Sequence, residues 1–196
     1  MTAGDRQDSV RPRRRQVWLL VLVASAVYAA DQATKNWVIA NLPEGEPVPV
    51  LGEFLMWMFV RNPGAAFSLA SGATWVFTIL AAVVVIVILW QIRRLRSPWW
   101  ALFLALLLGG VLGNLTDRLT REPGFPVGHV IDFISTPWML PAIYNIADIA
   151  IVGGMGVFLV ITLLGLSIDG SPRARRAAEA SGPDSADASS TSVAGE

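Results

Sequence analysis

Four long apolar runs, at residues 17–38, 74–92, 99–115 and 142–166, constrain this chain more than any other feature. Each is long enough to cross about 30 Å of hydrocarbon at roughly 1.5 Å per residue. Inside that layer every backbone amide must be satisfied internally, so each run is predicted to be a helix. The expected fold class is an all-α membrane protein with four transmembrane helices. At 196 residues the chain makes one compact bundle, too small for a second folded domain.

The formal charge sums to zero, which conceals an asymmetry along the chain. Arg11, Arg13, Arg14 and Arg15 precede the first run; Arg93, Arg94 and Arg96 sit between the second and third; Arg173, Arg175 and Arg176 follow the fourth. The other two connections carry only Arg61, and then Arg118 with Arg121. Cytoplasmic flanks collect Lys and Arg, so both termini are expected inside and the first and third connections outside. The first run follows a basic stretch as a signal peptide does, but no small-residue cleavage site leads into a soluble domain. It is read as retained. Residues 1–15 are expected to be a disordered basic arm against anionic lipid. Residues 16–168 form the membrane domain, and 169–196, poor in apolar residues, form a disordered cytoplasmic tail. No nucleic-acid partner is expected.

The outer connection after the first run is too apolar for a plain loop. Residues 54–60 (Phe-Leu-Met-Trp-Met-Phe-Val) are rich in strand formers and too short to span. Gly52 precedes them and Asn62-Pro63-Gly64 follows, both turn signals. A small sheet on the outer membrane surface is expected, with Trp57 at headgroup depth. The second run is apolar all round and reads as a lipid-facing structural helix. In the third, Gly109 and Gly113 have the spacing that lets helix backbones approach closely; Gly153, Gly154 and Gly156 suggest the same of the fourth.

The outward polar residues are the chemically informative ones: Asp31, Lys35, Asn62, Asn114, Asp117, Arg118, Asp132, Asn145 and Asp148. Ionisable groups at membrane depth are costly and mark function. Asn114 with Asp117, and Asn145 with Asp148, are three apart and expected to share a helix face. The absence of cysteine excludes thiolate chemistry and disulfides, and the single His129 excludes a histidine-rich metal site within one chain. No phosphate-binding glycine loop, zinc motif or nucleophile elbow is present. Paired carboxylates remain. Two neighbouring aspartates share a proton: the ionised one can activate water and the protonated one can protonate a scissile amide. This chemistry needs neither metal nor cofactor. Spacing alone does not choose among Asp31, Asp117, Asp132 and Asp148. Asp31 shares a face with Lys35, and Asp117 adjoins Arg118, so both have ion-pair partners to hand. Asp132 has apolar neighbours, and Asp148 lies in the first turn of its helix, where the macrodipole favours the charged form. Local environment therefore favours Asp132 with Asp148.

Five segments then resemble, in order, the motifs of bacterial lipoprotein signal peptidase (signal peptidase II): Asp31-Gln32-Ala33-Thr34-Lys35, Asn62-Pro63-Gly64-Ala65-Ala66-Phe67, the glycine-rich stretch from Gly109 through Asn114 to Asp117-Arg118, His129-Val130-Ile131-Asp132-Phe133, and Asn145-Ile146-Ala147-Asp148. The resemblance covers about residues 17–166. It implies an aspartic endopeptidase of the bacterial inner membrane, with its active site at the outer face. That enzyme would cut prolipoproteins just before a diacylglyceryl-modified cysteine. By motif position Asp132 and Asp148 match the catalytic pair. Asn62, Asn114, Arg118 and Asn145 match residues lining the site, Asp31 with Lys35 matches a supporting pair, and Asp117 is expected to act through stability or positioning. The segment around Trp57 matches a substrate-cradling sheet, and Gly64, Ala65 and Ala66 are candidate neighbours of the modified cysteine. The resemblance also implies membrane lipid as a partner, inhibition by cyclic peptides such as globomycin, and a monomer, since one chain holds every required group. Two departures stand out: the connection at residues 121–126 is longer than usual, and Tyr144 stands where phenylalanine is common. The alternative reading is a small proton-coupled transporter using the same carboxylates, which would need polar residues along the inner halves of the spans.

Overall fold

The computed structural model describes residues 14–64 and 74–169. The expected arm up to residue 13, Ala65 and Ala66, and the tail beyond residue 169 lie outside the described residues. Four helices are long and apolar enough to cross a membrane: α1 (Arg14–Asn41), α2 (Thr74–Gln91, continued by a 3-10 turn at Ile92–Arg94), α3 (Pro98–Thr120) and α4 (Ile146–Leu163). α1 begins at Arg14, two residues inside the expected arm. α3 is central, packing on α1 and α4 and more lightly on α2. Leu20, Ala24, Leu104, Ala105, Leu108 and Ile161 form the bundle's core. Their outward-facing neighbours, such as Leu22, Leu80, Ile86 and Val152, are exposed as lipid-facing side chains are.

Gly109, Gly110 and Gly113 let α3 pack this closely. A methyl at Gly109 would lie 2.7 Å from the Ala24 carbonyl oxygen, and one at Gly110 would lie 2.5 Å from that of Ala147. At Gly113 it would meet the Asp31 carboxylate. The close-packing expectation thus holds for α3 and fails for α4. Gly153 and Gly156 face open space; Gly154 faces α3, but a methyl there would make only ordinary contacts, 3.4 to 3.6 Å from Leu106, Phe103 and Leu107. The second run also differs from expectation: Thr74 and Thr78 are buried, and their hydroxyls donate to the carbonyls of Pro63 (2.7 Å) and Pro126 (2.6 Å). α2 is therefore stitched to the connection that follows α1 and to the one that follows α3.

The surface sheet is present and larger than expected, with four antiparallel strands in chain order: β1 (Pro47–Pro49), β2 (Met56–Asn62), β3 (Val130–Ser135) and β4 (Ile143–Tyr144). Residues 130–134 are β-branched or aromatic apart from Asp132, which suits a half-buried pleated surface. Trp57 packs edge-on against Trp37 of α1, ring centroids 4.9 Å apart. Between the Trp57–Ile134 and Val60–Asp132 pairs the register slips by one residue on β2. Such a bulge bends the strand and re-aims nearby side chains.

Sheet and bundle meet at a buried ionic cluster. Lys35 Nζ lies 2.8 Å from both Asp31 and Asp117, and all three side chains are fully buried. Asp117 does not pair with its neighbour Arg118 as expected. Its second cation is Arg121, one turn on, at 2.5 Å, because Arg118 faces another side of α3. Two carboxylates and two cations balance. Gln32 Nε2 donates to Asp31, to Asp117 and to the Gly113 carbonyl. Backbone donors complete the set: Asp31 Oδ1 accepts from Ala147 N at 3.0 Å, and Asp117 Oδ2, which also meets Lys35 Nζ, accepts from Ile131 N at 3.3 Å.

Removing one member of a buried ionic cluster strands its partners at a cost of about 3–5 kcal/mol. Lys35→Met should therefore lower the melting temperature of the detergent-purified protein sharply. Gly110→Ala should destabilise by about 1–3 kcal/mol through overpacking, while Gly153→Ala, facing open space, should leave the melting temperature unchanged. Thermal unfolding of the three variants side by side checks all of this.

Candidate active site

Asp132 reaches the site from β3 and Asp148 from α4. Asp132 is 3% exposed, enclosed by the sheet and the end of the bundle. Its Oδ2 accepts from Asn62 Nδ2 at 2.8 Å, a contact across β2 and β3 between diagonal neighbours on one face. Its Oδ1 accepts from Asn145 Nδ2 at 2.6 Å. Asp148 is partly exposed.

Asn145 and Asp148 were expected on one helix face; they form a capping box instead. Asn145 is the N-cap of α4, with extended backbone, and its Oδ1 accepts from Asp148 N at 3.0 Å. Asp148 Oδ2 in turn accepts from Asn145 N at 3.2 Å. This reciprocal arrangement satisfies two of the orphan donors at the helix start. The same Asn145 amide therefore holds Asp132 with its NH₂ and α4 with its oxygen. One residue ties the two carboxylates together, Asp132 through its side chain and Asp148 through its backbone N–H.

Asn114 supplies the other fixed contact. Its Oδ1 accepts from Lys35 Nζ at 2.9 Å and from Asn145 Nδ2 at 3.2 Å, so its NH₂ must face the other way, where it donates to Asp148 Oδ1 at 2.9 Å. The amide orientation is dictated by the cation behind it.

Burial is the main influence on Asp132. It disfavours the charged form, the nearby Asp148 charge adds to the effect, and the Asn62 and Asn145 hydrogen bonds with the Lys35 charge oppose it. The balance pushes the Asp132 carboxyl up to about 7.

Arg118 completes the cluster. It is buried, stacks over Phe77 at 5.5 Å, and stands within electrostatic reach of Asp132, Asp117 and Asp148. Its Nη1 has no hydrogen-bond partner. Gly64 makes room for it: at φ 97° a side chain would be strained, and a methyl would lie 2.8 Å from Arg118 Nη2. The Gly64 N–H donates to Asn62 Oδ1 at 2.8 Å, fixing the turn. Tyr144 and Thr136 share a hydroxyl hydrogen bond at 3.1 Å, so the extra oxygen at Tyr144 is satisfied. The connection at residues 121–128 folds back on α3, with Gly128 N donating to the Arg118 carbonyl.

All four aspartates thus gather at one end of the bundle, in two groups: Asp31 and Asp117 around Lys35, Asp132 and Asp148 around Asn145. Gln32, Arg121 and Phe77 also take part and were not singled out from the sequence. Arg121 had a legible signal, four residues after Asp117; Gln32 and Phe77 had none. Among the described residues no group of three His, Cys, Asp or Glu is arranged to hold a metal ion.

Comparison with known proteins agrees with this geometry. A family model described as signal peptidase (SPase) II matches residues 23–164. The lipoprotein signal peptidase of Leifsonia xyli subsp. xyli is 55% identical over 152 residues, covering 78% of this chain and 70% of that protein. That of Mycobacterium avium is 46% identical over 174 residues, covering 89% and 94%. A solved structure described as a bacterial membrane enzyme, determined by the in meso method at 1.9 Å resolution, superposes with a TM-score of 0.67 at 28% identity, covering 75% of this chain and 94% of that one. With a family match over residues 23–164 and a relative at 46% identity covered over 94% of its length, this chain belongs to the signal peptidase II family.

Proposed function

We propose that Asp132 and Asp148 form the catalytic pair of this membrane protease. The enzyme removes signal peptides from prolipoproteins and resides in the bacterial inner membrane. One observation carries the assignment of the pair: two carboxylates joined through one asparagine, Asp132 accepting from the Asn145 side-chain NH₂ and Asp148 from the Asn145 backbone N–H, with unequal surroundings. Asp132 is buried and pushed up to about 7, so it holds the shared proton. Asp148, in the first turn of α4, is partly exposed and serves as the base.

Water lies between the pair and the scissile carbonyl carbon. Asp148 takes a proton from it as the oxygen attacks, while the Asp132 proton hydrogen-bonds the carbonyl oxygen as charge develops there. On collapse the C–N bond breaks, the amide nitrogen leaves with a proton from the pair, and the pair returns to its singly protonated state. The free Arg118 Nη1 beside Gly64 is a donor for a substrate backbone carbonyl. Asn62, Asn114 and Asn145 hold the carboxylates, and the Asp31–Lys35–Asp117 cluster holds the asparagines.

The substrate is a prolipoprotein whose cysteine, next to the cut, carries a diacylglyceryl group. Its acyl chains stay in the bilayer, which holds the bond at headgroup depth. The basic flanks at Arg14, Arg15, Arg93, Arg94 and Arg96 support a cytoplasmic placement for that end of the bundle, leaving the aspartates at the outer surface. Every group the mechanism uses comes from one chain, which supports a monomer. A cyclic peptide such as globomycin would compete for the same site.

Asp132→Asn and Asp148→Asn should each insert and fold, yet cleave a diacylglyceryl-modified prolipoprotein at least about a hundredfold more slowly than the parent. The unmodified prolipoprotein should not be cut. Undiminished cleavage by either variant would remove that residue from the mechanism. With one proton required on the pair, kcat/KM should fall as pH rises through about 7. Stability should show the same group. From its ordinary 3.8 up to about 7, the folded chain keeps a proton on Asp132 that the unfolded chain releases. Stability therefore falls with rising pH across that window, and Asp132→Asn should flatten the slope in pH-dependent thermal melts.

A further inference from the structure

We propose that the end of the bundle opposite the aspartates holds one anionic phospholipid, its phosphodiester and hydroxylated head seated between Gln16, Arg96, Ser97 and Asp169. Here the first turns of α1 and α3 meet the segment after α4. The backbone N–H groups of Arg96 and Ser97 both donate to the Ile168 carbonyl, at 3.0 and 3.1 Å, and the Trp100 indole donates to the Leu166 carbonyl at 3.1 Å. These ties frame a cavity of about 480 Å³ whose wall includes Gln16, Arg96, Ser97, Trp99 and Asp169.

Two buried polar atoms in that wall have no partner: Gln16 Oε1, on a residue only 8% exposed, and Arg96 Nε. Buried polar atoms are rarely left so, and the two ask for opposite things, a donor and an acceptor. Ser97 adds a third unused group. It is the N-cap of α3, yet its hydroxyl makes no capping bond. The first turn of this 23-residue helix also carries the N–H groups and positive dipole end that suit an anion.

A phosphodiester carrying a polyol head meets all of these. Its phosphate oxygens accept from Arg96, Ser97 and the α3 terminus, and a head hydroxyl donates to Gln16 Oε1. Asp169, already engaged by another group, adds a carboxylate to the wall. It favours a head rich in donors over a doubly charged phosphomonoester. Arg96 lines the head cavity and Arg15 the adjoining one, both able to pair with a phosphodiester. A choline head offers no donor, and an ethanolamine head cancels its own phosphate. The place for the acyl chains is adjacent. A second cavity of about 430 Å³ shares Gln16 and Pro98 and runs along Leu19 to Trp18 and Leu22, each of the last two 70% exposed. Gln16 lies fifteen residues before Asp31 on one helix, about 22 Å away, so occupancy is separable from cleavage.

Native mass spectrometry of the full chain, released from micelles holding equal phosphatidylglycerol, phosphatidylethanolamine and phosphatidylcholine, tests this. One phosphatidylglycerol should be retained per chain. Gln16→Met with Arg96→Gln should weaken retention about tenfold, with prolipoprotein cleavage in detergent unchanged, while Arg93→Gln with Arg94→Gln should retain lipid as the parent does. Equal retention of all three lipids by the parent, undiminished retention by the Gln16/Arg96 variant, or displacement by excess inorganic phosphate would overturn the proposal. Retention that appears only after residues 1–13 are removed would overturn it too, giving the cavity to the chain's own arm. The comparison among lipids needs only the parent protein, so the test stands even if the double variant fails to fold.

Discussion

A single buried ammonium organises the catalytic end of this protein. Lys35 Nζ contacts Asp31, Asp117 and Asn114 at 2.8 to 2.9 Å, with no exposure to solvent. A desolvated charge of this kind is tolerable only when fully paired and hydrogen-bonded. Satisfying it joins α1 to α3. The carboxylates it neutralises also accept from backbone N–H groups at Ala147 and Ile131. Those residues immediately precede Asp148 and Asp132. The ionic cluster thereby sets the start of α4 and the position of β3, the two elements that carry the proposed catalytic pair.

From there the order passes through amides. Lys35 orients Asn114, Asn114 holds Asp148, and Asn145 joins Asp148 to Asp132 while Asn62 closes the far side. Side-chain amides suit this work because each offers a donor and an acceptor at fixed ends without adding charge. The site can keep one proton on two carboxylates only if its surroundings stay neutral overall. The self-balancing cluster of Asp31, Lys35, Asp117 and Arg121 meets that requirement. Arg118, beside the two carboxylates, takes part in none of these ion pairs.

The glycines of α3 show the same economy in steric form. Gly110 and Gly113 face Ala147 and Asp31, the residues the ionic cluster connects, so close helix approach and charge pairing are one packing solution. The glycines of α4 have the same look in sequence and none of this role. Spacing marks a stripe that permits close approach; it does not say whether another helix comes to it.

The four spans, the strand around Trp57 and the identity of the polar set were all legible in the sequence. They follow from local quantities: the length of an apolar run, the cost of burying charge, and the turn residues beside a strand. The preference for Asp132 with Asp148 also rests on local properties, apolar neighbours and a helix start. Tertiary structure alone decided the partners. Asp117 took Lys35 and Arg121 rather than Arg118, Asn145 became a cap bridging two carboxylates, and residues 130–135 became a strand whose bulged pairing with β2 brings Asn62 to Asp132. A hydrogen bond between residues 70 or 116 positions apart, as in Asn62–Asp132 and Ala147–Asp31, depends on how helices and sheet pack together, and no local pattern in the chain encodes that distance.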